Sequence, residues 1–163
     1  INKTKFWAYD REAFYIQLTN EILNIAHKAI KTGEKVAIRL NGTSDIPHIE
    51  LIQRYTGIDL LSDTYKHILL YDYTKNYNQA LKYAGTNYKV TFSRSESNEQ
   101  KALELLKAGV NVAAVFKQLP DTWKGYPVIN GDLTDLRYFD PAGVIVGLKA
   151  KGDAKKDLSG FVI

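Results

Sequence analysis

The sequence predicts an α/β fold with a mostly parallel sheet of about five strands and alternating helices, arranged as an open sheet or a partial barrel. The first observation is that short runs of strand-forming residues alternate with helical apolar patterns. The second is that three of these runs, 36–40, 68–71 and 88–92, end in a polar cluster that opens a helix. In parallel α/β folds such junctions lie at the carboxyl edge of the sheet, where ligands bind. Eight strand–helix units do not fit into 163 residues, which excludes a complete eight-fold barrel.

Length and composition predict a single α/β domain spanning residues 1–163. With 45% apolar and 25% charged residues, the chain is typical of soluble globular proteins. It has neither an apolar run of membrane-spanning length nor a signal peptide, so we expect a cytoplasmic protein without a membrane partner. The absence of cysteine excludes disulfides, thiolate metal sites and an iron–sulfur cluster held by this chain alone. The net charge of +4 is compatible with a polyanionic partner.

A long helix and a buried strand are expected first. Asp10 can cap a helix whose apolar residues recur at helical spacing up to about Lys31, and Gly33 is its expected end. Residues 36–40 are too few and too apolar for a surface helix. They predict a buried strand.

A second helix is expected after this strand. Either Ser44 or Asp45 caps it, Pro47 suits its first turn and Gly57 ends it. Residues 58–65 are harder to assign, and another short helical turn is one interpretation of them.

The remaining elements alternate in the same way, with strands at 67–73, 88–93, 110–116 and 144–148 and helices at 76–84 and 97–109. Ser97 and Gln100 match a capping box at the start of the last helix. The alternation breaks after Phe116, because prolines 120 and 127 interrupt regular structure and Asn130-Gly131 is a strong turn signal. We therefore expect an irregular connection before the fifth strand.

The cluster after the third strand, Ser93-Arg94-Ser95, predicts an anion site. Backbone amides at a helix start bind anions, and this cluster adds a guanidinium and two hydroxyl groups. A phosphate or a carboxylate would fit there. The alternative is that the serines cap the helix and Arg94 pairs with a structural carboxylate.

The cluster after the first strand contains Asn41, Ser44 and Asp45. Asp45 is a candidate for binding a metal, a sugar hydroxyl or a proton, although residues of this type also cap helices. Asn41 and Ser44 would help to orient the ligand. The glycine spacing of a Walker loop or of a dinucleotide fingerprint is absent.

Asp72, at the end of the second strand, is followed three residues later by Lys75. A carboxylate in this position can be a general base, a metal ligand or one half of an ion pair. Lys149, at the end of the fifth strand, begins a lysine-rich stretch that is either a phosphate-binding or a solvent-exposed surface. We expect Asn41, Asp45, Asp72 and Arg94 to converge on one cleft.

The three histidines, His27, His48 and His67, show no spacing that indicates a metal site. His48 lies nearest to the expected cleft. A surface polar role is the favoured interpretation for it.

Four strings resemble an uncharacterised protein family of phages and mobile elements: RLNGTSDIP (39–47), YDYTK (71–75), TFSRSESN (91–98) and GVIVGLKAKG (143–152). The resemblance covers nearly the whole chain, from residue 3 to residue 161. Members of that family often carry a cysteine-bearing segment just upstream, and more distant relatives look like radical-SAM-type partial barrels with an iron–sulfur cluster. The present chain has no cysteine, so cluster ligands would have to lie on a missing segment. It also has no methionine and opens on Ile1, which indicates either a trimmed start or a fragment of a longer product.

These features favour a phage or mobile-element accessory protein that binds a phosphorylated ligand or nucleic acid at the carboxyl edge of the sheet. The candidate ligand-binding residues are Asn41, Ser44, Lys75, Ser93, Arg94, Ser95 and Lys149. The first alternative is a metal-dependent phosphoryl-transfer enzyme or nuclease, or a degenerate radical-SAM-like enzyme, with Asp45 and Asp72 as catalytic carboxylates and magnesium as the metal. The second alternative is a non-catalytic virion or host-interaction protein.

Overall fold

The computed structural model describes residues 3–42 and 44–163, and these residues form an α/β fold. The chain divides into two compact units, Ile1–Leu70 and Tyr71–Ile163. Each unit is described by itself below. A single domain over residues 1–163 stays a prediction.

The first unit contains α1 (Lys3–Tyr9), α2 (Arg11–Thr32), β1 (Ala37–Arg39), α3 (His48–Thr56) and a 3₁₀ turn at Asp63–Tyr65. The side chain of Asp10 accepts a hydrogen bond from the backbone amide of Ala13 and so caps α2. Gly33, with a φ of 71°, ends this helix in the left-handed conformation. The predicted bounds of the long helix are therefore confirmed, whereas α1 was not predicted.

The start of α3 differs from the prediction. Pro47 occupies the position before the first helical residue, and no side chain caps this helix. Ser44 instead donates a hydrogen bond to the side chain of Asn41 at 2.6 Å. The prediction that Ser44 or Asp45 caps the helix is wrong, because the loop itself uses the hydroxyl of Ser44.

Aromatic packing forms part of the core of the first unit. The rings of Tyr15 on α2 and Tyr55 on α3 stack with centroids 5.4 Å apart and an angle of 2° between their planes. Ile22 on α2 and Ile52 on α3 are also buried. His48 is buried too, so its predicted surface role is wrong.

The second unit holds most of the sheet, and β2 begins two residues before it. The elements are β2 (Leu69–Thr74), α4 (Tyr77–Lys82), β3 (Tyr88–Ser93), α5 (Glu99–Lys107), β4 (Val112–Phe116), β5 (Thr122–Trp123), β6 (Tyr126–Asn130) and β7 (Ile145–Lys149). The strand order within this unit is β2-β3-β4-β7-β6-β5. The sheet is open, so the open-sheet alternative is confirmed and the partial barrel is not formed.

Parallel pairing fixes which strand ends meet. β3 pairs with β4, β4 with β7 and β6 with β7, all in parallel. In the register of the central pair, Val112 lies opposite Ile145 and Phe116 lies opposite Lys149. The carboxyl ends of β3, β4, β6 and β7 therefore lie at one edge, as the sequence predicted for parallel strands.

Two predictions in the second unit are wrong. The connection after Phe116 contains the β5–β6 hairpin, whose second strand joins the sheet beside β7. The capping box is not formed, because α5 begins at Glu99 with Asn98 before it and without a side-chain cap. The hydroxyl of Ser97 contacts that of Ser95 at 3.4 Å instead.

The last residues of the chain add backbone pairing beside β4. Val162 forms a parallel bridge with Val115, and the amide of Ile163 donates to the carbonyl of Val115 at 3.0 Å. The amide of Lys117 donates in turn to the carbonyl of Ile163 at 2.8 Å. This segment thus lies along the part of β4 beyond the paired residues of β3.

Candidate functional site

A basic concavity lies at the carboxyl edge of the sheet in the second unit. Lys117 follows β4 directly, Lys149 ends β7, and Lys151 and Lys155 follow Lys149 along the chain. We call this concavity the lysine pocket; its volume is about 420 Å³, and its lining residues are Lys117, Lys149, Ala150, Lys151 and Lys155. The four lysines are exposed, so their positive charges face solvent.

Asp132 holds one side of the lysine pocket in place. Its carboxylate accepts hydrogen bonds from the ammonium group of Lys151 at 2.7 Å and from the backbone amide of Lys149 at 2.8 Å. The hydrogen bond from Lys151, followed by that from the Lys149 backbone, holds the pKa of Asp132 below its usual value. One of the four lysines is therefore paired with a carboxylate.

The other three lysines of the pocket differ from Lys151, because within the described part of the chain their ammonium groups have no carboxylate partner. Within residues 3–42 and 44–163, the ammonium groups of Lys117, Lys149 and Lys155 make no hydrogen bond or salt bridge. Unpaired ammonium groups that surround a concave surface attract anions. Of the candidate residues from the sequence, Lys149 is the one that lines this pocket.

Arg94 lies beyond the end of β3 and is only 5% exposed. One terminal nitrogen of its guanidinium group donates to the carbonyl oxygens of Gly160 and Phe161 at 2.6 and 2.8 Å. The other donates to the carboxylate of Glu99 at 3.1 Å. The structure therefore shows the alternative in which Arg94 pairs with a structural carboxylate, while phosphate binding by Arg94 stays a prediction.

Glu99 joins this buried arginine to an exposed lysine. Its second carboxylate oxygen lies 3.2 Å from the ammonium group of Lys124. Burial acts to raise the pKa of Glu99, but hydrogen bonds from Lys124 and Arg94 outweigh it and hold the pKa below its usual value. The carboxylate thus stays charged and keeps the guanidinium group in place.

The serines beside Arg94 take part in a local turn. The backbone amide of Ser95 donates to the side chain of Asn98 at 2.7 Å, and the amide group of Asn98 donates to the carbonyl of Ser93 at 3.1 Å. Asn98 therefore closes the loop ahead of α5. Ligand binding by Ser93 and Ser95 stays a prediction.

Asp72 is a buried carboxylate that is 1% exposed. It accepts hydrogen bonds from the hydroxyl group of Tyr88 at 3.0 Å and from the backbone amide of Tyr73 at 3.2 Å. Lys75, three residues later, is exposed. Because Tyr88 lies on β3, its hydrogen bond to Asp72 links two neighbouring strands of the sheet.

In the first unit, Asn41 organises the loop after β1. Its side-chain oxygen accepts from the hydroxyl of Ser44 at 2.6 Å and from the amide of Ile46 at 3.0 Å, and its amide group donates to the carbonyl of Ile46 at 3.0 Å. Asp45 is exposed. Thr43 lies outside the described residues.

No group of three or more histidine, cysteine, aspartate or glutamate side chains that could hold a metal occurs among the described residues. Asp45 belongs to the first unit and Asp72 to the second. A catalytic magnesium site at Asp45 and Asp72 therefore stays a prediction, as does the convergence of the four candidate residues.

Sequence reasoning missed a pocket at the amino edge of the sheet, where Arg137 and Asp140 lie. Arg137 stands in the string LRYF between apolar residues, on a 3₁₀ turn at Arg137–Phe139. An arginine surrounded by apolar neighbours was the signal that could have indicated a buried charge.

The comparison with protein families gives a match over the full length. The model of the family described as Gene product 88 matches residues 1–163, the whole chain. Neither a curated protein nor a solved structure matches the chain. Among the residues that the structure describes, every helix is too short or too polar to cross a membrane.

Proposed function

Since the chain belongs to the Gene product 88 family, a phage-type family, we propose that it binds phosphate groups in the lysine pocket. The ligand is a nucleic acid or a phosphorylated small molecule. The observation that carries the proposal is the cluster of four exposed lysines around one concavity, of which Asp132 pairs with one. The interaction takes place in the cytoplasm of the host cell.

The chemistry of the lysine pocket suits phosphate. An ammonium group is a compact point charge with three donors, which binds phosphate oxygens without a fixed geometry. Three such groups are available here, and the edge of the sheet fixes the backbone of Lys117 and Lys149. A concavity of about 420 Å³ accommodates a nucleotide-sized group.

The direct test measures binding of fluorescein-labelled single-stranded and double-stranded oligonucleotides by fluorescence anisotropy. Affinity should fall steeply between about 50 and about 200 mM salt, because each neutralised phosphate adds about 0.7 to 0.9 to the slope of log K against log salt. The Lys117→Gln/Lys149→Gln variant should weaken binding and reduce the slope by about 1 to 2. Competition by a mononucleotide or by inorganic phosphate distinguishes a small phosphorylated ligand from a nucleic acid.

The control is a second double variant that has the same net charge as Lys117→Gln/Lys149→Gln. Lys101 and Lys107 are exposed on α5 and do not line the lysine pocket, so Lys101→Gln/Lys107→Gln removes two charges outside it. This variant should bind like the wild type. If the two double variants lose affinity equally, or if the wild type binds neither oligonucleotide nor phosphate at low salt, the lysine pocket is not the site.

A further inference from the structure

A carboxylate lies at the border of the lysine pocket, among its positive charges. The loop that follows β6 carries Asp132, whose two carboxylate oxygens lie 2.7 Å from the ammonium nitrogen of Lys151 and 2.8 Å from the backbone nitrogen of Lys149. Both of these lysines line the pocket. A ligand held by the lysines therefore meets a negative charge beside the positive ones.

This carboxylate is ionised wherever a phosphate ligand is. The hydrogen bond from Lys151, followed by that from the backbone of Lys149, holds the pKa of Asp132 below its usual value. The second pKa of a phosphate monoester is about 6. A ligand that offers acceptor atoms alone, such as inorganic phosphate, is therefore repelled by Asp132. The pocket favours a ligand that carries a hydrogen-bond donor next to its phosphate.

The carboxylate of Asp132 has acceptor capacity for such a donor. An ionised carboxylate offers about four acceptor positions on its two oxygens. Within residues 3–42 and 44–163, Lys151 and Lys149 occupy two of these positions. The side chain of Asp132 is 24% exposed, so a bound molecule can donate to the remaining lone pairs.

A hydroxyl group is the donor that suits this position. A cationic donor on the ligand would be repelled by the four lysines of the pocket, whereas a hydroxyl group is neutral. In a ribonucleotide, the carbon that bears the 2′-hydroxyl group is bonded to the carbon that bears the 3′-phosphate, so one ribose presents both groups side by side. A carboxylate binds the ribose 2′-hydroxyl group in dinucleotide-binding folds as well.

We propose that the lysine pocket is specific for ribonucleotides and that Asp132 determines this specificity. The ammonium groups of Lys117, Lys149 and Lys155 hold the phosphate, and the carboxylate of Asp132 accepts a hydrogen bond from the adjacent 2′-hydroxyl group. This specificity rests on the phosphate binding proposed above and narrows its ligand to RNA or a free ribonucleotide, because DNA lacks the donor.

Three single-stranded oligonucleotides of one sequence, without thymine or uracil, test the role of the 2′-hydroxyl group. They are RNA, DNA and 2′-fluoro RNA, which keeps the sugar pucker of RNA but cannot donate at this position. In fluorescence anisotropy at one salt concentration, RNA should bind at least about threefold more tightly than the other two, because they lack a hydrogen bond to a charged group. Adenosine 3′-monophosphate and its 2′-deoxy analogue give the same comparison for a free nucleotide and so distinguish the two sources.

Asp132→Asn tests the residue itself. Asparagine keeps an acceptor for the backbone amide of Lys149 but removes the negative charge. The variant should bind DNA more tightly than the wild type does, and its preference for RNA should fall below about twofold.

Asp121→Asn is the matched control, because it also removes one negative charge. Asp121 is exposed, and among the described residues its side chain makes no hydrogen bond to a lysine of the pocket. This variant should keep the preference of the wild type for RNA.

The specificity is overturned, while phosphate binding stands, if the wild type binds DNA or 2′-fluoro RNA as tightly as RNA. An unchanged preference for RNA in folded Asp132→Asn overturns the role of Asp132. If the wild type binds none of the three oligonucleotides at low salt, phosphate binding fails and the specificity fails with it. Thermal melting shows whether each variant is folded, and if Asp132→Asn is not, the three oligonucleotides on the wild type decide.

Discussion

The hydroxyl group of Tyr15 links two other polar aromatic side chains inside the first unit. The indole N–H of Trp7 donates to it at 3.2 Å, and it lies 3.1 Å from Nδ1 of His48. Because indole can only donate, the Tyr15 oxygen accepts that bond and its own proton is available to Nδ1. This arrangement suits a neutral imidazole with its proton on Nε2, and burial lowers the pKa of His48 accordingly.

The stability of the first unit should therefore depend on pH through His48. The unfolded imidazole has a pKa near 6.5 and the folded one a lower value, so the unfolded state binds the proton more readily. The stabilising contribution is complete above the unfolded pKa and is lost as pH falls through the folded pKa. Urea unfolding from about pH 7 down to about pH 5 should show a larger loss for the wild type than for His48→Asn, which keeps an acceptor for Tyr15. Equal losses in the two proteins would refute a role for His48.

Residue type alone does not show whether a polar side chain forms hydrogen bonds within the protein. Asn41, Asp72 and Arg94 were predicted to face a ligand, and all three are buried with hydrogen bonds to the protein itself. The same groups that hold an anion also close a turn, and burial depends on segments distant in sequence, such as Gly160 beside Arg94. Lys149 was located correctly at the carboxyl edge, because position at a strand end is a local property.

At the level of elements, β7 depends on a residue without a side chain. A Cβ at Gly147 would lie 2.6 Å from Val128 Cγ1 and 2.8 Å from Leu119 Cδ2. The neighbouring strand β6 and the segment after β4 therefore pack directly on the backbone of β7. Gly147→Ala should lower the free energy of unfolding by about 1 to 3 kcal/mol in urea denaturation, as overpacked cores do.

Gly42→Ala is the control for this substitution. A Cβ at Gly42 meets no heavy atom within 4 Å, and its φ lies outside the left-handed region. It should therefore be neutral or slightly stabilising, by up to about 1 kcal/mol. A Gly147→Ala protein as stable as the Gly42→Ala protein would show that β6 and the loop can move away from β7.

The five predicted strands are all present, because each has a continuous apolar or alternating pattern that local sequence reveals. The β5–β6 hairpin was not predicted, because the conformation of its turn has no clear sequence signal. Its turn places Lys124 at a φ of 52° and Gly125 at a φ of 85°. Lysine is an uncommon residue in that conformation, so Lys124-Gly125 lacks the usual sequence signal of a tight hairpin turn.

At the scale of the whole molecule, the chain's last residues are part of the second unit's architecture. Gly160 and Phe161 supply the acceptors for the buried guanidinium group of Arg94, and Ile163 bonds to the backbone beside β4. Deleting residues 160–163 should destabilise the second unit by about 3 to 5 kcal/mol, because it leaves a buried charge with fewer partners. Urea denaturation measures the loss.

Leu158→Ser changes the same segment at a side chain that is 97% exposed, and it should leave stability unaltered. If the deletion is as well tolerated as this substitution, Arg94 finds other acceptors or water. In that case residues 160–163 do not contribute to the stability of the second unit.

The pairing of β4 has a consequence for how the protein is made on the ribosome. β4 pairs with β3, which is synthesised before it, but also with β7 and with Val162, which emerge much later. Until then the nascent chain carries a nearly apolar strand with one open edge, the kind of surface on which other chains assemble. The sheet of the second unit is therefore completed only when residues 145–163 have left the exit tunnel, and a chaperone that shields β4 during that interval would favour correct folding over aggregation.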